Sequence, residues 1–410
     1  MSVQHDPPAP SRRLRILFLT VGLPGHSLEG YRVRAYHQLQ GLAEHHDITL
    51  VSFIGPNERA EALAPVASAC RRVVTVPLRR SRMTVGLLRA GISGLPFQTG
   101  LYEAPAMRRA IRDELKGAGF DLAHVQLARM APYLDEVSAV PRVVDLVDAL
   151  SLNMKRRSQH EAGLWRWLTR VEATRLERYE RKICASVDRA VIGSALDRAA
   201  LGSPPNLSIV TSGVDLDAFS YERAGRRADT VILSGRMSYF PNVQAALWFG
   251  RRVLPIVERA RPGIEFHVVG ARPDPAILRL ARRRPRIRVS GFVERVAPRL
   301  RAAAVAVAPM RAGSGQQLKI LEAMASGTPV VATSLAAAGV EALHGEHLLV
   351  ADEPEAFAGH VIRLLNGPAL ADHLAANARR LVEERYTWAH SVRQLEAIYS
   401  SVAARRPSTA

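Results

Sequence analysis

The sequence predicts an α/β protein built from two doubly wound, Rossmann-like domains in tandem. Three observations carry that expectation. Short apolar, branched runs alternate along the chain with longer segments of helical periodicity, the pattern of a parallel sheet covered on both faces. The alternation breaks over residues 202–228 and restarts at Val231. A chain of 410 residues, 48% of them hydrophobic, is too long for one ordinary domain and suits two.

Each element follows from its local pattern. Ile16 to Val21 is a continuous apolar run ending at Gly22, as a buried parallel strand should be. Gly22, Gly25 and Gly30 punctuate the loop after it. A helix is expected from about Arg32 to Ala43, with Val33, Tyr36, Leu39 and Leu42 at helical spacing. Ile48–Ile54, Val73–Pro77, Leu122–Gln126, Val143–Val147 and Ala190–Ile192 read as the next strands. Lys155–Ser186, rich in Arg, Glu and Leu, reads as one or two amphipathic helices, with Trp165 and Trp167 as packing residues. After the turn Gly202-Ser203-Pro204-Pro205 comes a short strand, Leu207–Val210. The second series has strands at Val231–Ser234, Glu265–Val269, Ile287–Ser290, Val305–Ala308 and Val330–Ala332, a helix over Ala245–Ala260 and a helical tail from Asp372 to Ala403. The expected organisation is therefore a disordered start over 1–13, a first domain over 14–210, a linker over 211–228 and a second domain over 229–385. In such sheets ligands bind beyond the carboxyl ends of the strands. Chemistry is expected in the loops there, around a cleft between the domains.

Composition narrows the partners. The net charge is +18, but only 6% of residues are aromatic and no nucleic-acid motif is present, so nucleic acid is not expected. Much of the excess is arginine on solvated faces, as in Arg282-Arg283-Arg284; an anionic membrane surface is the partner the charge favours next. The two cysteines, Cys70 and Cys184, match neither a CxxC pair nor a zinc spacing and read as buried, reduced thiols. That suits a cytoplasmic protein, peripheral on the inner face of the membrane. No apolar run reaches the ~18–20 residues of a spanning helix. Ser11-Arg12-Arg13 before Ile16 has the look of a twin-arginine signal, but the apolar run is short and ends in a glycine loop, so it reads as a strand.

The most informative segment runs from Pro309 to Val331. A strand ends at Pro309, a Gly313-Ser314-Gly315 loop follows, and a helix is expected over about Gln317–Ala325 before Gly327 and Pro329. Glycines let backbone amides approach phosphate oxygens, and a helix start adds partial positive charge. Lys319, in the first turn, can reach a phosphate as a point charge. Glu322, one turn on, can accept two hydroxyl hydrogen bonds of the kind a ribose diol offers.

This segment resembles the signature of glycosyltransferase family four, retaining enzymes of the GT-B type. Glu322 to Val331 matches the family's Glu-Ala-Met-Ala-x-Gly-x-Pro-Val-Val. The variant Gly313-x-Gly315-x-x-x-Lys319-x-Leu321-Glu322 resembles bacterial exopolysaccharide and exosortase-linked transferases. The resemblance implies that Glu322 binds the ribose of a donor nucleotide. The family often has a second glutamate eight positions earlier, where Ser314 stands here. Its contact to the donor sugar then falls to backbone amides or to Gln316 and Gln317. Leu233–Asn242 resembles the family's Gly-Arg loop, in which an arginine and a lysine grip the diphosphate. Arg236 is present, Pro241 occupies the lysine position, and Lys319 can supply the missing charge. Ser212–Phe219 resembles the family's interdomain turn, so Asp215-Leu216-Asp217 is not read as a metal motif, and no metal or other cofactor is expected.

The acceptor side is expected in the first domain. Gly30, with Arg32 and Arg34, resembles the family's glycine loop before the first helix. His124 lies in a strand resembling Asp-Val-Val-His-x-His, although the family's functional histidine is the second, here Gln126. Asp145 and Asp148 end the next strand and can orient an acceptor hydroxyl or cap a helix. The resemblance thus implies a GT-B fold whose two domains face a cleft, with a C-terminal helix crossing back to the first domain. The stripe Trp388, Val392, Leu395 and Tyr399 fits that helix. It implies a hexosyltransferase-type enzyme moving a sugar from a nucleotide-sugar to a glycan or lipid-linked acceptor with retention, in exopolysaccharide or cell-surface glycan synthesis. The departures at Ser314 and Pro241 motivate one alternative, a catalytically inactive GT-B scaffold. The charge motivates another, a polyanion-binding protein.

Overall fold

The computed structural model describes residues 12–404 apart from 26–28, 56–57, 59–62, 79, 118 and 223–224. Most of the start expected to be disordered, residues 1–11, lies outside the described residues. The chain forms two compact units. One comprises the chain up to Thr211 together with the stretch from Trp388, and the other is Ser212–Thr387.

The first unit is built on a seven-stranded parallel sheet of β1 (Arg15–Thr20), β2 (Asp47–Ile54), β3 (Arg72–Pro77), β4 (Leu122–Gln126), β5 (Arg142–Val147), β6 (Arg189–Ile192) and β7 (Leu207–Ile209). The order is β3-β2-β1-β4-β5-β6-β7, so the direction of winding reverses between β1 and β4. Period-2 alternation sends Ile16 and Phe18 to one face and Leu17 and Leu19 to the other, where each pair joins a separate buried cluster. Both cysteines are buried and free, and burial pushes the thiol of Cys70 up to about 12 and that of Cys184 to about 11.

The second unit is a six-stranded parallel sheet of β8 (Arg227–Ser234), β9 (Glu265–Val269), β10 (Ile287–Gly291), β11 (Ala303–Ala308), β12 (Val330–Ala332) and β13 (Leu349–Val350). Its order, β10-β9-β8-β11-β12-β13, reverses between β8 and β11. The helix expected over Ala245–Ala260 begins earlier, at Phe240, with Pro241 in its first turn where a missing N–H costs nothing. It then widens into a π-helical turn at Phe249–Val253. Pro255 follows directly, and its lack of an N–H interrupts the regular hydrogen-bond ladder there.

The last helix, Trp388–Ala403, packs on the first unit. Val392, Leu395, Tyr399 and Val402 are buried with Leu14, Phe18, Leu39 and Leu42. Trp388 stacks on His37 at 4.6 Å. The approach is close: a methyl group on Gly41 would meet Val392 at 2.7 Å. Two Rossmann-like units, with a C-terminal helix returned to the first, are the GT-B architecture.

Two tryptophans depart from expectation. Lys155–Ser186 resolves into the helices Leu150–Ser158 and Gly163–Ser186. The second buries Thr169, Glu172, Ala173, Leu176 and Glu180 at helical spacing. Trp165 continues that face into the first turn beside the hairpin tip, while Trp167, two residues on, lies on the other side of the helix; they are 67% and 60% exposed. They are not packing residues.

Candidate donor site and its counterpart in the first unit

The loops at the carboxyl ends of β8, β9 and β11 converge in the second unit, at its topological switch point. Gly270, just after β9, is in the left-handed half of backbone space at φ 150°, and a methyl there would lie 1.7 Å from the Gly235 carbonyl oxygen. Gly235 follows β8 directly and abuts the Asn242 amide and the Lys319 Cε. Gly313, at φ 111°, sits over the Pro241 ring. Gly270 lets the backbones after β9 and β8 touch, Gly235 leaves room for the Asn242 amide, and Gly313 is called for by its backbone angle.

Onto this frame the sequence places its charged groups. Arg236 lies in the loop after β8, its guanidinium 6.0 Å from the Tyr239 ring centroid, and Asn242 Nδ2 donates to its carbonyl at 3.0 Å. Lys319 stands in the first turn of the helix Leu318–Ala325 and donates from Nζ to Gln317 Oε1 at 3.0 Å. Burial pushes the Lys319 ammonium down to about 8, against the attraction of Glu322. Burial likewise pushes the Glu322 carboxyl up to about 6, against the attraction of Lys319. Both side chains remain partly exposed. The site is thus a partly desolvated ammonium and carboxyl one helical turn apart, beside a glycine-built loop and an arginine. Such a set can receive a dianionic phosphate group and a hydroxyl pair.

The remaining residues of the segment have structural duties as well. Gln316 Oε1 accepts the backbone N–H of Ser212 at 2.7 Å, while its Nε2 is buried without a partner. Gln317 Nε2 donates to the Ser314 carbonyl at 3.3 Å. Ser314 is buried and Gly315 half-buried. The contribution of Gly270 and Asn242 was not drawn from the sequence. The one signal for Gly270 was a glycine directly following an apolar strand, as Gly235 follows its own.

The first unit treats its charges differently. Gly30 opens the helix Gly30–His45. Arg32, two residues on, pairs with Glu29 at 2.9 Å and with Glu58, and its guanidinium lies against Gly22. Its charge is met by two carboxylates and ties together the loops after β1 and β2. Arg34 is fully buried with Asp145 at 2.7 Å and also donates to the Val210 carbonyl at 2.9 Å.

His124, expected near the acceptor, is fully buried in mid-strand β4. It stacks on Phe18 at 4.1 Å, and its Nδ1 is 2.8 Å from the Tyr399 hydroxyl. Burial pushes it down to about 4, so it is a neutral ring anchoring the C-terminal helix. Gln126 is also buried and donates to the Tyr31 carbonyl. Asp148 is half-buried beyond β5. The β-branched Val147 before it is held at φ 66°, with its N–H donated to Asp145 Oδ1 at 2.8 Å. A Val in that region is strained, and the buried Asp145 secures it.

Among the described residues no group of three or more His, Cys, Asp or Glu could hold a metal ion, and no helix is long and apolar enough to cross a membrane.

Residues 228–367 match the family model described as group 1 glycosyl transferases. The phosphatidyl-myo-inositol mannosyltransferase of Mycobacterium tuberculosis is 30% identical over 210 residues, 47% of this chain and 54% of that protein. An uncharacterized 44.6 kDa protein in the cps region of Klebsiella pneumoniae is 25% identical over 175 residues, 41% of this chain and 45% of its own. The chain spans about half the length of the curated relatives it matches. Among solved structures, a sucrose-phosphate synthase from Thermosynechococcus elongatus superposes with a TM-score of 0.72 at 19% identity, covering 96% of this chain and all of that one. HepE from Anabaena, crystallised with UDP and glucose, superposes at 0.69 and 14% identity, covering 95% of this chain and all of its own. Likeness at such identities shows the fold.

Proposed function

We propose that the protein is a glycosyltransferase that moves a sugar from a nucleotide-sugar to a glycan or lipid-linked acceptor. The observation that carries this reading is the meeting of Arg236, Lys319 and the Gly313–Gly315 loop at the β8/β11 switch point, with Glu322 one turn from Lys319. In this reading Glu322 holds the ribose, and Arg236 and Lys319 hold the diphosphate. Amides of the loop residues Gly313 to Gln317 face the phosphates and sugar. The first unit takes the acceptor, with Gly30 in its phosphate-side loop and Asp148 on the acceptor hydroxyl. Arg32 and His124 act there through the structure they hold.

The reaction breaks the bond between the anomeric carbon and the diphosphate oxygen. It forms a bond to the acceptor oxygen on the same face, so configuration is retained, and the acceptor's proton passes to the departing phosphate. No protein nucleophile or metal is required. Catalysis rests on positioning and on stabilising charge at the leaving diphosphate. Exopolysaccharide or cell-surface glycan assembly, on the inner face of the cytoplasmic membrane, is the setting that fits a relative from a cps region.

Ser314 and Pro241 favour a second reading, a protein that binds nucleotide-sugars without turning them over. A panel of nucleotide-sugars tested for thermal stabilisation separates the two. A true donor at about 100 times its dissociation constant should add ~2.7 kcal/mol of stability. Adding acceptor extract should then release nucleoside diphosphate. Stabilisation without release selects the inert binding protein, and no stabilisation by any donor defeats both readings.

A further inference from the structure

The tip of the hairpin between the helices Leu150–Ser158 and Gly163–Ser186 carries the densest exposed apolar group among the described residues. Leu164, Trp165 and Trp167 are 68%, 67% and 60% exposed within four consecutive positions. Single exposed apolar side chains are ordinary, but a cluster of three with two indoles marks a contact surface. Charge says what it contacts. Arg166 and Arg170 are exposed on the same first two turns of the helix, around from the tryptophans, so that the charge rims the apolar tip. Arg166 donates to the Glu161 carbonyl and meets no carboxylate there.

The two acids of the stretch are already engaged. Glu161 pairs with Arg157 at 2.7 Å, and Glu172 is buried, accepting the backbone N–H groups of Phe97 and Gln98. The surface at the tip is therefore apolar and positive. Ile92 adds to the same flank of the long helix: it is 90% exposed, and Arg175 of that helix donates to the neighbouring carbonyls of Ala90 and Gly91.

We propose that this tip docks the protein on an anionic lipid surface, with Trp165, Trp167 and Leu164 seated at the headgroup–acyl boundary and Arg166 and Arg170 on lipid phosphates. Indoles suit that boundary because the ring is apolar while its N–H stays wet. Arginines beside them add electrostatic attraction to negatively charged lipid. A spanning segment is not involved. The inference stands apart from the transferase reading, since a non-catalytic protein would dock equally well.

The test uses the full chain and vesicles of phosphatidylcholine with and without phosphatidylglycerol, read by flotation. The wild type should float with phosphatidylglycerol vesicles and release at high salt. The double variant W165S/W167S should bind at least roughly tenfold more weakly to them. R166Q/R170Q should lose about tenfold or more, and its residual binding should no longer depend on phosphatidylglycerol. All four side chains are exposed, so unchanged thermal melting is the folding control. Brominated lipids should quench the wild type and spare W165S/W167S, whose remaining tryptophans are Trp248, packed against the second unit's core, and Trp388, stacked on His37. Absence of flotation, or flotation equal in both variants and wild type, overturns the proposal. So does a self-association abolished by W165S/W167S without vesicle binding, which would make a second copy the occupant.

Discussion

The two sheets end in loops of similar plan, yet they handle charge in opposite ways. At the end of the first sheet, Arg32 is closed by Glu29 and Glu58, and Arg34 is sealed against Asp145 out of contact with water. At the end of the second, Lys319 bonds an amide oxygen, Glu322 stays partly exposed, and burial moves each toward its neutral form. A charge answered inside the protein holds loops in place. A charge left poorly compensated beside a glycine frame raises the free energy of the empty site, and a phosphate that answers it returns that energy as binding. The lesson is that charged residues after a strand do not identify a ligand site until their internal partners are known.

Arg34→Met should have the largest effect on stability. It leaves Asp145 buried without its partner, and chemical denaturation should show a loss of about 3–5 kcal/mol. Adding Asp145→Leu should recover part of it, because the stranded charge goes too, but not all, because the acceptor that holds the Val147 N–H goes with it. If Arg34→Met alone were nearly neutral, the pair would not be the internal lock described.

Lys319→Met asks the opposite question of the second unit. Turnover of the true donor should fall about 10²–10³-fold, the typical effect of removing one preorganised charge contact to a leaving group. The melting temperature of the free protein should hold or rise, since a desolvated ammonium is replaced by an apolar chain of similar length. A clear drop in melting temperature would class Lys319 with the structural arginines.

The pH dependence of donor binding should show a smaller effect. In the proposed function, donor binding requires Lys319 protonated and Glu322 ionised. Affinity for a nucleotide-sugar, whose diphosphate diester stays ionised throughout, should therefore fall as pH rises through about 8 and as it drops through about 6. In Lys319→Met the alkaline limb should vanish. The acid limb should move to higher pH, because the ammonium that holds the Glu322 carboxyl down is gone. Calorimetric titrations across this range check both limbs.

Much of this was legible in the sequence, for physical reasons. Continuous branched runs such as Ile16–Val21 mark strands buried on both faces, and the stripe Val392, Leu395, Tyr399 marks a helix that must be covered. The Pro309–Val331 segment was equally plain, because strand, glycines and helix are contiguous in the chain. What escaped depended on distant partners. Arg32 looks like a site residue until Glu58 and Gly22 are brought to it by folding, and His124 reads as a packed strand histidine whose partner, Tyr399, lies 275 positions away in the chain. Gly270 shows its purpose only when the Gly235 carbonyl lies against it. Trp165 escaped because periodicity gives a helix its buried face but not where along its length that face begins; Trp167 is off the stripe of Thr169, Glu172, Leu176 and Glu180, and the period alone places it outside.

In the proposed donor site Lys319 and Arg236 together receive a diphosphate. Calorimetric titration of UDP and GDP, each beside its own nucleoside, in the wild type and in Lys319→Ala puts this to the test. The wild type should bind at least one diphosphate far more tightly than the matching nucleoside, and Lys319→Ala should shrink that difference by roughly tenfold or more while leaving the nucleoside's own affinity in place. An equal difference in the two proteins would remove Lys319 from the site and contradict the claim.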